Sequence, residues 1–253
     1  MEGLDQASYL FIDSHLHLGD SPDPMVDLRL SRASRELLVT NGTDKATSLR
    51  GLELAEANLH LLRSFVGVHP SEARRERNLE DWLEPLVVRA SGLGEVGLDP
   101  RYSGVQRGTA QMDSLSFQLA LAEKRRKPVQ VHTRNAEKAC LDELGTYRLE
   151  AVLLHWFQGE DQLRTVLDRG YYASFGPAIL FSKKLQKMAT TLNRQRVVAE
   201  SDSPVRFGAL GGVGGAWLIP SVVFRLSELF RTPFDETAKL LVSNGISFLA
   251  GGH

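Results

Sequence analysis

With a single cysteine, Cys140, the chain has no partner for an intramolecular disulfide and no thiolate set for a zinc site. Cys140 lies in a helical pattern, Ala136-Glu137-Lys138-Ala139-Cys140-Leu141, where packing is its ordinary role and nucleophilic chemistry the alternative. Charge of one sign is not in excess either, since 30 Lys and Arg face 31 Asp and Glu for a formal net charge of −1. No domain-wide positive field exists to grip long duplex nucleic acid, so any phosphate recognition has to be local. No apolar run is long enough to span a bilayer, and the acidic start Met1-Glu2-Gly3-Leu4-Asp5 lacks the charged-then-apolar pattern of a secretory leader. A cytoplasmic protein without membrane contact is the expectation. Glycine is concentrated at 208–216, but the stretch lacks the Gly-Lys-Ser/Thr ending of a phosphate loop and reads as a mobile loop.

What is present is ordinary globular composition, 42% apolar and 24% charged, with enough apolar mass for a sizeable core. Short β-branched or apolar runs at 9–14, 36–40, 64–68, 92–96, 128–131, 151–154, 171–175 and 196–200 alternate with segments of helical period. Helices are predicted at 46–63, 79–90, 109–126 and 135–144, some after capping-type residues such as Asp44 and Asn78. The tail, 216–250, reads as two or three helices broken at Thr232-Pro233 and Asn244-Gly245. Eight strand-helix units in 253 residues predict an α/β fold, a single-domain (β/α)8 TIM-like barrel over 1–253. An open doubly wound sheet is the other topology, and it would gather function at one switch crevice.

The polar residues favour the barrel. His15 and His17, His69, Glu95, His132, His155 and Asp202 fall at the C-terminal ends of six different predicted strands, where a barrel collects its chemistry. In Asp13-Ser14-His15-Leu16-His17 the two imidazoles are two residues apart on or beyond a strand, so both can reach one cation. Glu95 sits in Gly92-Leu93-Gly94-Glu95-Val96-Gly97, a run so small and apolar that its carboxylate should be buried and in need of a partner. That partner is an arginine or a pair of cations. His132 and His155 each end a short buried-type strand, and taken singly either could be a core histidine bonded to a carbonyl. Taken together, a His-x-His, a glutamate, two histidines and an aspartate supply ligands for two ions sharing the glutamate, with positions left for water and substrate.

These motifs resemble the TatD family of metal-dependent deoxyribonucleases, within the amidohydrolase-like barrels. The similarity runs from about Phe11 to Pro204. It rests on Asp13-Ser14-His15-Leu16-His17, Val66-Gly67-Val68-His69-Pro70, Gly94-Glu95-Val96-Gly97-Leu98-Asp99, Lys127-Pro128-Val129-Gln130-Val131-His132-Thr133-Arg134, His155-Trp156-Phe157-Gln158-Gly159 and Glu200-Ser201-Asp202-Ser203-Pro204. The resemblance implies two divalent metal ions (Zn, Mn or Mg), one on His15, His17 and Asp202 and one on His132 and His155, with Glu95 bridging. It implies that His69 lines the pocket, touching the substrate's phosphate or a metal-bound water, and that the reaction is phosphodiester hydrolysis, commonly as an exonuclease on DNA ends or single strands. Asp202, Glu95 and His69 are then the catalytic candidates, with His69, Arg134 and Arg74 of the Arg74–Arg77 cluster facing substrate. Trp156, Phe157 and Tyr102 could stack bases. The family's Asn-Glu-Pro-like element after the last aspartate is replaced here by the glycine-rich 208–216, which leaves specificity open. The same site could instead cut at carbon, as a D-aminoacyl-tRNA deacylase or a small-molecule amidohydrolase does. A non-catalytic nucleic-acid-binding protein is the third reading.

Overall fold

Eight parallel strands follow one another around a barrel in sequence order, each succeeded by a helix or a helical turn that packs outside. The computed structural model describes residues 4–76, 78–208 and 211–252. The strands are β1 (Phe11–Leu16), β2 (Glu36–Asn41), β3 (Leu62–Val66), β4 (Gly92–Gly97), β5 (Val129–His132), β6 (Val152–His155), β7 (Tyr172–Phe175) and β8 (Val197–Ala199). Around them run α1 (Pro24–Ser34), α2 (Lys45–Ala57), α3 (Leu79–Arg89), α4 (Ala110–Arg125), α5 (Glu137–Leu144), α6 (Leu163–Arg169), α7 (Lys183–Thr191), α8 (Ile219–Phe230) and α9 (Phe234–Leu249). Runs such as Leu37-Leu38-Val39 and Val152-Leu153-Leu154 are buried throughout because a parallel strand has the barrel interior on one face and helices on the other. The chain just past β8 closes the ring on β1: Asp202 N donates to His15 O at 2.9 Å and His17 N to Ser203 O at 2.7 Å.

All eight sequence-predicted strands are present, with the first and the third each shifted by two residues, to 11–16 and 62–66. The helix expected at 46–63 stops at Ala57, where Asn58 leaves helical backbone and returns its side-chain amide to Leu54 O. Leu62 and Arg63 therefore belong to β3. Asp44 caps α2, accepting from Thr47 N at 2.8 Å, whereas Asn78 makes no side-chain cap to α3 and instead takes a left-handed backbone. The expected break at Asn244-Gly245 does not occur, and α9 runs through it. Asn244 turns inward to donate to Arg194 O and Val197 O, both at 2.7 Å. Gly245 leaves room for Ile12, whose Cδ1 would lie 2.4 Å from an added Cβ. Both residues serve packing, not termination.

The stretch at 208–216 lies partly outside the described residues, at 209 and 210. Its remainder takes part in a hairpin that pairs β9 (Arg206–Phe207) with β10 (Gly212–Val213). The basic run Lys124-Arg125-Arg126-Lys127 is tied down structurally: Lys124 and Arg125 pair with Glu84, Arg126 with Glu150, and Lys127 Nζ donates to Ala90 O.

Candidate metal centre

The ends of β1, β3, β4, β5, β6 and β8 bring His15, His17, His69, Glu95, His132, His155 and Asp202 together at one mouth of the barrel. Glu95 and Asp202 are buried, and every ion pair found for them among the described residues is with an imidazole. The two oxygens of Glu95 divide the histidines into two groups. Oε2 faces Nε2 of His15 and His17, at 3.6 and 3.3 Å. Oε1 faces His132 Nδ1 at 2.7 Å and Nε2 of His155 and His69, both at 3.8 Å. Asp202 Oδ1 stands 3.8 and 3.4 Å from His15 and His17, and its Oδ2 is 3.7 Å from His155.

A second layer of acceptors fixes which nitrogen of each ring points inward. Gln130 Oε1 takes His15 Nδ1 at 2.6 Å, and the amide cannot be reversed because its Nε2 already donates to Ser14 O. The carbonyl of Asn41 takes His17 Nδ1 at 3.1 Å, Glu200 takes His155 Nδ1 at 2.8 Å, and Asp99 takes His132 Nε2 at 3.0 Å. Each outer nitrogen therefore carries a proton, so the inner one is the nitrogen turned to the centre and able to give a lone pair to a metal ion, the polarity that metal-ligating histidines require. The consequence is clearest at His15 and His17, whose Nε2 atoms stand 3.3 Å apart with both Nδ1 positions donating outward. Two lone pairs facing one another at that distance call for a cation between them, whether a proton or a metal ion. These donors fit divalent metal ions.

His69 has the opposite polarity. The backbone N–H of Ser71 donates to His69 Nδ1 at 3.2 Å, so the ring proton sits on Nε2 and faces Glu95. By distance alone His69 could join Glu95 and His132 around an ion, but this tautomer makes it a hydrogen-bond donor to the pocket. Burial holds its pKa down to about 4, so it is neutral at working pH.

Charge balance among the rest follows from their neighbours. Burial alone would raise Glu95, yet His69, His155 and His132 hold it well below the usual carboxylate range. Burial opposes protonation of His155 as well, but Glu200, Asp202 and Glu95 outweigh it and lift the ring to about 9. Left-handed backbone occurs here too, with φ of 53° at Asp202 and 39° at Trp156. For a residue as bulky as tryptophan that conformation is unusual, and it persists because Ser174 Oγ and Glu200 Oε1 both accept from its backbone N–H.

The cavity over this cluster encloses about 490 Å³, and Tyr102, Arg134, Trp156 and Lys184 line it. Arg74 follows the buried Ala73 with its own side chain exposed to solvent and lies outside this lining, and Arg77 lies outside the described residues. Phe157, suggested by sequence as a stacking residue, is fully buried in the core. Cys140 is buried as well, and burial pushes its thiol far above the ordinary range, leaving it a packing residue. Asp99, Gln130 and Glu200 were not expected as site residues. Their signal was faint: Gln130 is the one polar residue between Val129 and Val131, and Asp99 and Glu200 are carboxylates next to apolar strands.

A family model described as TatD related DNase matches residues 12–250. The chain belongs to that family. Among its relatives, an uncharacterized metal-dependent hydrolase of Haemophilus influenzae is 25% identical over 94% of this chain and 99% of its own length. A protein of Edwardsiella piscicida named as the 3'-5' ssDNA/RNA exonuclease TatD is 31% identical, over 72% of this chain and 73% of that one. The crystal structure of YJJV, a TatD homologue from Escherichia coli, superposes with a TM-score of 0.85 at 25% identity, covering 95% of this chain and 97% of that one. This TatD protein is a metal-dependent hydrolase built on a (β/α)8 barrel.

Proposed function

We propose that this TatD protein hydrolyses nucleic-acid phosphodiesters and trims DNA from its ends. His15, His17 and Asp202 would hold one divalent cation, His132 and His155 a second, and Glu95 would touch both. The observation that carries the reading is the division of Glu95, one oxygen toward each histidine group, above rings whose outer nitrogens are all bonded to acceptors. Imidazole with carboxylate suits zinc or manganese, while magnesium prefers an all-oxygen set. When bound, the ions supply Lewis-acid charge that activates water and neutralises the phosphoryl oxygens. His69 donates Nε2–H to a phosphate oxygen. Asp202, kept ionised despite burial by His155 and His17, is left to accept the proton of the attacking water, because His69 already carries one at Nε2. Arg134 and Lys184 face the phosphate from the cavity wall.

A compact cavity receives a strand end more readily than the middle of a duplex, and the exonuclease named among the relatives supports that mode. The test is a metal-screened panel of single-stranded DNA, duplex DNA, RNA and acylated tRNA, with Asp202→Asn as control. Metal-dependent cleavage of single-stranded DNA that Asp202→Asn abolishes is expected. Turnover of acylated tRNA alone would replace the phosphodiesterase with a carbon-centre hydrolase. No turnover with any metal would leave a binding protein.

A further inference from the structure

The carboxylate of Asp99 is fully buried, and its two oxygens are both engaged. Oδ1 accepts from Arg101 N at 2.9 Å. Oδ2 is shared, lying 3.0 Å from His132 Nε2 and 2.5 Å from Arg134 Nη2. The backbone of Asp99 is clamped on both sides by the buried amide of Gln111, which accepts from Asp99 N at 2.7 Å and donates to Asp99 O at 2.8 Å. The carboxylate thus has a fixed place. On one side of it, His132 turns Nδ1 to Glu95 at 2.7 Å. On the other, the part-exposed guanidinium of Arg134 lines the cavity with its Cζ 5.7 Å from the centroid of the Tyr102 ring.

We propose that Asp99 is a positioning residue joining the metal side of the cavity to its anion-binding side. One oxygen accepts from His132 Nε2, which makes Nδ1 the nitrogen turned to Glu95 and the metal side, and it holds Arg134 against the cavity wall. This role rests on the metal centre proposed above. An amide cannot do both tasks. Asn at this position offers one neutral acceptor in place of the charged oxygen that both partners share, and it turns N–H donors toward them, so Arg134 is released from the wall and His132 is free to invert and carry its proton on Nδ1 toward Glu95. The first outcome loosens anion binding and the second blocks a metal ligand.

Asp99→Asn and Arg134→Gln separate the two arms. In chelator-stripped protein titrated calorimetrically with Mn²⁺, Asp99→Asn should weaken one metal site by roughly 10–100-fold and leave the other unchanged. Arg134→Gln should keep both sites within about twofold of wild type, as expected when only the anion arm is removed. Inorganic phosphate titrated into Mn²⁺-saturated protein should bind roughly tenfold more weakly in both variants. Ring-nitrogen NMR of the metal-loaded wild type, which needs no variant to fold, should find His132 protonated on Nε2 and His155 on Nδ1. Wild-type Mn²⁺ affinity in Asp99→Asn, an equal loss of metal in Arg134→Gln, undiminished phosphate affinity in Asp99→Asn, or a His132 proton on Nδ1 would each overturn the proposal. Wild-type protein that takes up no Mn²⁺ would instead overturn the metal centre itself, and this role with it.

Discussion

Among the described residues Glu95 and Asp202 have no lysine or arginine as an ion-pair partner, and a buried charge in that position depends on whatever cation the histidines can share. Replacing either by alanine removes charge and not core volume, so the barrel should stay folded while turnover falls by ~100-fold or more. Glu95→Ala should be the worse of the two, since its oxygens serve both histidine groups. Near-normal activity and metal stoichiometry in Glu95→Ala would remove the bridging role. For His69→Ala the expected loss is about 100-fold in kcat with metal content unchanged, because Nε2–H is a donor and not a ligand. Elemental analysis of the purified variant decides it, and loss of one metal equivalent would make His69 a ligand. At this scale the sequence reveals the inner groups and hides their supports. A histidine at a strand end is conspicuous, whereas Asp99, Gln130 and Glu200 gain meaning only when the ring each one holds is seen.

Among the elements, the strands were legible because a parallel barrel strand is apolar on both faces, leaving short runs that stand out between amphipathic helices. Helix ends were less so. Asn244-Gly245 has the composition of a stop, yet α9 runs through it because both residues are fitted to the barrel wall. Asn244→Ala should therefore cost about 2 kcal/mol, the loss of two hydrogen bonds to the barrel wall, and lower Tm by several degrees with metal binding intact. Urea unfolding of the metal-loaded protein measures it. An unchanged midpoint would mean that α9 is held by its apolar face alone.

For the whole molecule, eight repeated units at barrel length made the architecture readable, while substrate choice depends on loops whose sequence carries little pattern. A near-neutral protein with a compact mouth should engage few phosphates, so its affinity for single strands should fall with salt at a log–log slope of about −1.5 to −2, as two or three contacts give. A slope several times steeper would indicate a long nucleic-acid track. The metal-free molecule should also carry a pH signature. His155 is lifted from 6.5 to about 9 by Glu200, Asp202 and Glu95 against the opposing effect of burial. That proton stabilises the stripped fold fully below about pH 6.5, and the contribution is lost as pH rises through 9. Saturating Mn²⁺ should flatten the dependence by taking the proton's place, and a stripped protein equally stable at pH 6.5 and 9.5 would contradict it. The most direct test of the central claim is an anomalous difference map from crystals of the protein loaded with Mn²⁺. Two peaks are predicted, one among His15, His17 and Asp202 and one at His132 and His155, with Glu95 contacting both. A map with no peak inside this cluster, or with His69 Nε2 bound to an ion, would contradict it.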